Sequence, residues 1–213
     1  MPSSPNYMRF DPDVHHRRSI RLQGYDYAQA GAYFVTICAY RRKCLFGQVE
    51  NGAVVLSQHG RLAERCWQTL PRDFPHVELD VFMVMPNHFH GILIITGCHT
   101  AGRGEAFARR SRERPWSAPA NASPLRPAHG TQPGSLAAIV QNFKSVSTRK
   151  INRTRATPGM PVWQGNYHEH IIRDEDGLSR IRAYIINNPL QWEMDRENPA
   201  ARIVKGPTEA WQV

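Results

Sequence analysis

The run Val81–Thr96, VFMVMPNHFHGILIIT, constrains the fold more than any other part of the chain. Pro86-Asn87 is turn chemistry set between two apolar, β-prone segments. Val77–Met85 and the segment from His88 onward are therefore expected to pair as an antiparallel hairpin. Alternate side chains of a strand share a face. His88 and His90 then point one way with Ile92 and Ile94, while Phe89, Leu93 and Ile95 point the other. Taken alone, two imidazoles at i, i+2 are most simply a hydrogen-bonded pair in a core. Neutral imidazole is also a common ligand of divalent ions, so the pair can fill two corners of one coordination sphere. Context has to decide between these.

The remaining segments supply that context. Ala32–Tyr40, AYFVTICAY, reads as a first strand, with Arg41, Arg42 and Lys43 at its end. Asn51-Gly52 in QVENGAVVL signals a hairpin turn. Ser57 caps a helix running to about Leu70, which Pro71 helps to end, with Leu62, Ala63, Cys66, Trp67 and Leu70 as its apolar face. Ser135 caps another, striped by Leu136, Ile139, Val140 and Phe143, with Lys144, Arg149 and Lys150 toward its far end. Val162–Arg173 reads as extended. Asp174 caps a last helix that Pro189 stops near Asn188.

On that last helix Leu178, Ile181 and Ile185 form a buried stripe. Tyr184 and Asn188, four apart, flank it one turn from each other. A helix laid on the histidine face brings a phenol and a carboxamide oxygen toward the imidazoles. His88, His90 and Asn188 then suit one Mg²⁺ or Mn²⁺, and Tyr184 suits a nucleophile attacking a phosphodiester. Asn187 is the substitute oxygen donor, and Tyr167 the competing phenol. The blander reading makes Tyr184 a core-rim residue and Asn188 a helix cap.

The 213 residues carry a net charge of +9 and 41% hydrophobic residues, with pI near 9.8. A real core and an anionic partner follow, nucleic acid before membrane. His15–Leu22, HHRRSIRL, places Arg17, Arg18 and Arg21 in a basic N-terminal arm (1–24), equally a solvated tail or a phosphate-contacting one. The segment 97–134 is rich in Arg, Pro and Ser without periodicity and reads as a flexible insertion in a domain spanning 25–192; 193–213 is a tail. No segment is long and apolar enough to span a bilayer, and no signal-peptide core is present. The four cysteines lack metal spacing and read as reduced thiols. A cytoplasmic, nucleoid-associated protein is expected.

His88-Phe89-His90 matches the histidine–hydrophobic–histidine signature of HUH endonucleases. The block around it, MPNHFHGIL, resembles the REP-associated tyrosine transposases, as do the opening RRSIRLQGYDY…GAYFVTI and the closing VWQGNYHEHIIRDEDGLSRIRAYIINNP. The resemblance covers most of Arg17–Trp192 apart from the arginine-rich insertion. It implies an α+β fold, a ferredoxin-like or RRM-like antiparallel sheet with packed helices and the HUH pair on a central strand. It also implies cleavage and rejoining of single-stranded DNA at REP-type hairpins through a 5′-phosphotyrosine. By position in the motif, Tyr184 matches the nucleophile, and His88, His90 and Asn188 the ligands of Mg²⁺ or Mn²⁺. Arg17, Arg18, Arg21, Arg41, Arg42, Lys43, Lys144, Arg149 and Lys150 are the expected DNA contacts. Tyr167–His170 matches a block near the site, where Glu169 or His170 can assist. The chain is expected to act as a monomer or homodimer. Two other classes remain: a non-catalytic nucleic-acid-binding module, and a hydrolase of small phosphate esters that needs neither Tyr184 nor so cationic a surface.

Overall fold

A computed structural model describes residue 22 and residues 25–96, 131–195, 198, 199 and 201. Arg17, Arg18 and Arg21 of the arm, residues 97–130 of the insertion and most of the tail lie outside the described residues.

The chain forms β1 (Gly31–Cys38), the hairpin β2 (Gly47–Glu50) and β3 (Ala53–Leu56), α1 (Gln58–Gln68), and the short α2 (Leu70–Asp73). Then come β4 (Val77–Val84), β5 (His88–Ile95), α3 (Leu136–Arg155), β6 (His168–Ile172) and α4 (Glu175–Asn187). The four long strands pair in the order β4-β5-β1-β6, every neighbour antiparallel. Leaving out the small hairpin and α2, the succession β1-α1-β4-β5-α3-β6 is the ferredoxin-like βαββαβ unit. The histidine strand is one of its two central strands.

Local chemistry explains the element ends. Ser57 Oγ accepts the Gly60 amide at 3.1 Å, and Ser135 Oγ accepts the Ala138 amide at 3.3 Å. Asp174 Oδ1 accepts the Gly177 amide at 2.7 Å. Each cap satisfies an amide the helix cannot, worth about 1 kcal/mol. Asn51 and Gly52 both take positive φ, 51° and 73°, as a tight hairpin turn requires.

Two departures from the sequence expectation come from prolines. Pro71 opens the short α2 rather than only ending α1. Pro189 does not stop helical turning: Asn188 keeps helical angles (φ −57°, ψ −39°), and Asn188–Met194 continues as a 3-10 helix. Proline lacks only its N–H, and the first turn of a helix has no use for that donor.

The sheet divides two cores. On one face α1 and α3 pack over Phe89, Leu93 and Ile95. Trp67, Phe89 and Phe143 are fully buried there, with Trp67 4.4 Å from Phe89 and 5.2 Å from Phe143 between ring centres. Burying each such side chain contributes on the order of 1.5–3 kcal/mol. On the other face α4 covers Phe34, Ile92 and Ile172 with Ile181 and Ile185.

A bulge in β4 serves this second core. Leu79 pairs with Leu93 and Phe82 with Gly91, so Asp80 and Val81 together face Ile92 alone. The extra residue returns Phe82 to the first core and leaves Val81 and Met83 on the second.

Candidate active site

Strand alternation puts His88 and His90 under α4, both almost fully buried, with ring centres 4.4 Å apart. Backbone register sets their neighbours: Thr36 lies opposite His90, and Cys38 opposite His88. Thr36 Oγ1 and His90 Nδ1 share a hydrogen bond of 2.9 Å. Asn87 Nδ2 donates to the Arg42 carbonyl at 3.2 Å, which turns Oδ1 toward His88. That oxygen can only accept, so His88 Nδ1 carries the proton it receives at 2.9 Å. The lone pair of His88 is thereby left on Nε2.

Burial pushes the His88 imidazole down to about 4, and the Arg42 charge pushes the same way. Asp195 and the Asn188 side chain pull it partly back up. His88 is therefore neutral at physiological pH, the state in which imidazole binds metals. Asn188 comes close enough to favour a proton on His88, though not in hydrogen-bond geometry.

His88 Nε2 and Asn188 Oδ1 are both buried and have no hydrogen-bond partner. Each such atom costs about 1–3 kcal/mol. Asp195 Oδ2 stands 3.9 Å from His88 Nε2. A lone pair, an amide oxygen and a carboxylate gathered in one place fit a cation. Among the described residues no three His, Cys, Asp or Glu side chains could hold an ion by themselves. The Asn188 carboxamide oxygen is a buried donor of another kind. Asn188 is 3% exposed, whereas Asn187, the substitute, is exposed on the helix surface.

Tyr184 comes to the same place within the same chain. Its ring centre lies 5.3 Å from that of His90 and 6.1 Å from that of Phe34, meeting the Phe34 ring edge-on. Phe34 stacks on His90 from the side, 5.5 Å away. The phenol is half-buried. Tyr167 packs instead against the first core, on the opposite face of the sheet.

The basic residues divide between the two layers. Arg41, Arg42 and Lys43 are exposed at the end of β1, beside His88. Arg41 and Arg42 both hold positive φ, 55° and 52°, unusual for non-glycine residues. Lys144, Arg149 and Lys150 sit on α3, across the sheet. Lys144 Nζ donates to the carbonyls of Gln164 at 2.5 Å and Gly165 at 2.8 Å, and burial lowers its pKa. It pins the segment before β6 rather than presenting a free charge. A groove of about 580 Å³ runs there, lined by Lys144, Arg149, Gln164 and Tyr167 among others, away from the histidines.

Sequence reading did not single out Thr36, Asn87 or Asp195 as site residues. Thr36 carries a hydroxyl in an apolar strand, which is a usable signal. Asn87 was legible only as a turn residue. Asp195 lies in what reads as an irregular tail, and no spacing marks it. Cys44 and Cys66 are free thiols. Among the described residues no helix is long and apolar enough to cross a membrane.

No protein-family model matches the chain. An uncharacterized protein of Haemophilus influenzae is 37% identical over 188 residues, spanning 88% of this chain and 96% of its own. Among solved structures, a REP-associated tyrosine transposase bound to a REP hairpin superposes with a TM-score of 0.50. The two are 17% identical over 80% of this chain and 73% of the other. That likeness is one of fold.

Proposed function

We propose, for a chain that belongs to one family with the Haemophilus influenzae protein and has the fold of a REP-associated tyrosine transposase, that it is a metal-dependent single-stranded DNA endonuclease and strand transferase. It acts at REP-type palindromic hairpins through a 5′-phosphotyrosine, in the cytoplasm and at the nucleoid. The observation that carries this reading is the meeting of Tyr184 with His90, in one chain, beside the buried donors His88 Nε2 and Asn188 Oδ1. The substrate class comes from the solved neighbour, which holds a REP hairpin. A net charge of +9 suits it.

His88, His90 and Asn188 would hold Mg²⁺ or Mn²⁺. When bound, such an ion is a Lewis acid that neutralises a non-bridging phosphate oxygen and the charge of in-line displacement. The chain's own residues do the rest. Asn87 and Thr36 fix the two imidazoles in rotation, and Asn87 also sets the His88 tautomer. Phe34 and Ile92 keep water from the inner side of the pair. Arg41, Arg42 and Lys43 line the approach with positive charge. Tyr184 Oη forms a bond to phosphorus as the bond from phosphorus to the 3′-oxygen breaks. The phenol proton passes to solvent, and the leaving oxygen becomes a free 3′-hydroxyl. Rejoining reverses these steps with another 3′-hydroxyl. The covalent intermediate conserves the phosphodiester energy. A free phenol has a pKa of about 10, so nearby positive charge is needed to make its anion accessible.

The test uses single-stranded palindromic hairpins labelled at either end, with Mg²⁺, Mn²⁺ or chelator. Expected is a denaturation-resistant adduct retaining the DNA 3′ of the cut, abolished by chelator. Tight hairpin binding with no adduct under any metal would replace this reading with a binding module.

A further inference from the structure

Arg182 and Asp80 are separated by nearly half the chain and joined by a two-nitrogen grip. Arg182 Nε donates to Asp80 Oδ1 at 3.1 Å and Oδ2 at 3.2 Å, and Nη2 donates to Oδ2 at 2.6 Å. Arg182 Nη1 also reaches Glu175 Oε1 at 3.4 Å, on its own helix. The Asp80 side chain is 11% exposed. It faces α4 by strand alternation from Leu79, the bulge in β4 then sets Val81 beside it on the same side, and the Val81 amide holds Asp80 Oδ1 at 2.6 Å. Bulges of this kind re-aim side chains.

The grip matters because of where it lies on α4. At about 100° per residue, Arg182 and Tyr184 fall on opposite flanks of the stripe formed by Ile181 and Ile185. Two isoleucines on Phe34, Ile92 and Ile172 hold the helix down, but aliphatic contact is non-directional and resists rolling about the helix axis weakly. Rolling would lift or lower the Tyr184 ring against His90. A planar guanidinium held by both carboxylate oxygens is directional, and on the far flank it fixes the roll.

We infer that Asp80 and Arg182 are positioning residues: their bond sets the rotation of α4 and so the height of the Tyr184 phenol over the histidine pair. This rests on the nucleophile reading for its effect on rate, though not for its effect on ring position. It accounts for a nearly buried carboxylate and a guanidinium that neither the hydrophobic core nor the metal donors require.

The test compares wild type, Asp80→Asn, Arg182→Lys, and the charge-swapped pair Asp80→Arg with Arg182→Asp. Three readouts are taken: the single-turnover rate of adduct formation, the Kd for a hairpin oligonucleotide, and the ¹³Cζ resonance of Tyr184, assigned by its loss in Tyr184→Phe. Misplacing a reacting group by about 1 Å costs on the order of 100-fold. Asp80→Asn and Arg182→Lys should slow the adduct by about that factor, leave the hairpin Kd within about twofold, and move the resonance; the swapped pair should recover part of the rate and the resonance. Wild-type rate and an unmoved resonance in folded Asp80→Asn would overturn the inference. Should wild type form no adduct, the nucleophile reading fails, and the resonance alone still decides whether the grip sets the ring.

Discussion

Asn87 Oδ1 accepts the Nδ1 proton of His88 at 2.9 Å, and this bond chooses which imidazole nitrogen faces the Tyr184 side of the sheet. The partner atom, Nε2, is left buried with a lone pair. Removing an outer partner of a metal-binding histidine typically weakens metal affinity by about 10- to 100-fold. Asn87→Ala should therefore bind Mn²⁺ less tightly by that range, measured by titration calorimetry, while the fold persists. Unchanged affinity would mean that His88 does not ligate through Nε2.

A cation site implies linkage between metal and stability. An ion that binds only the folded chain stabilises it by about 2.7 kcal/mol at a hundredfold excess over Kd. Mn²⁺ should raise the wild-type unfolding midpoint, and chelator should reverse the rise. His90→Ala and Asn188→Ala should lose the response; Asn187→Ala, on the exposed side of the helix, should keep it. A response that survives in Asn188→Ala would move the third donor elsewhere.

Gly91 lies between His90 and Ile92 with its missing side chain directed into the first core. A Cβ there would stand 2.6 Å from Trp67 Cζ2 and 2.8 Å from Phe89 Cε1. Both rings are fully buried and packed on each other at 4.4 Å between ring centres, so neither can retreat cheaply. Gly91→Ala should destabilise the protein by about 1–3 kcal/mol, read by urea unfolding. A neutral result would show that Trp67 has room to move.

The Asp80–Arg182 bond also has a pH signature. Its hydrogen bonds from Arg182 hold the Asp80 carboxyl below the ordinary carboxylate value. A carboxyl lowered on folding contributes stability that is present above the unfolded value, about 3.9, and lost as pH falls through the native one. The stability difference between wild type and Asp80→Asn should be constant near neutral pH and shrink only in that acid window. A difference that already shrinks near pH 6 would point to a different titrating group.

Much of this was legible in sequence because it rests on period and punctuation. Alternation in HFHGILII separated the histidine face from the Phe89 face, and Ser57, Ser135 and Asp174 marked the helix starts. The four-residue spacing of Tyr184 and Asn188 put both beside the Ile181–Ile185 stripe. What stayed hidden depends on tertiary placement. The bulge at Asp80 has no local signal, since Asp in a strand is merely disfavoured. Lys144 read as free charge because its acceptors, the carbonyls of Gln164 and Gly165, are brought to it only by the fold. Pro189 read as a stop because its tolerance in a following 3-10 turn depends on burial of Asn188 and Pro189.

Which residue would bear the DNA is the point on which the proposed function turns. Adduct formed on a single-stranded hairpin with Mn²⁺ should be digested with protease and nuclease and sequenced by tandem mass spectrometry. The nucleotide should be found on Tyr184. Attachment at Tyr167, on the other face of the sheet, or at any residue away from His88 and His90, would contradict the site described.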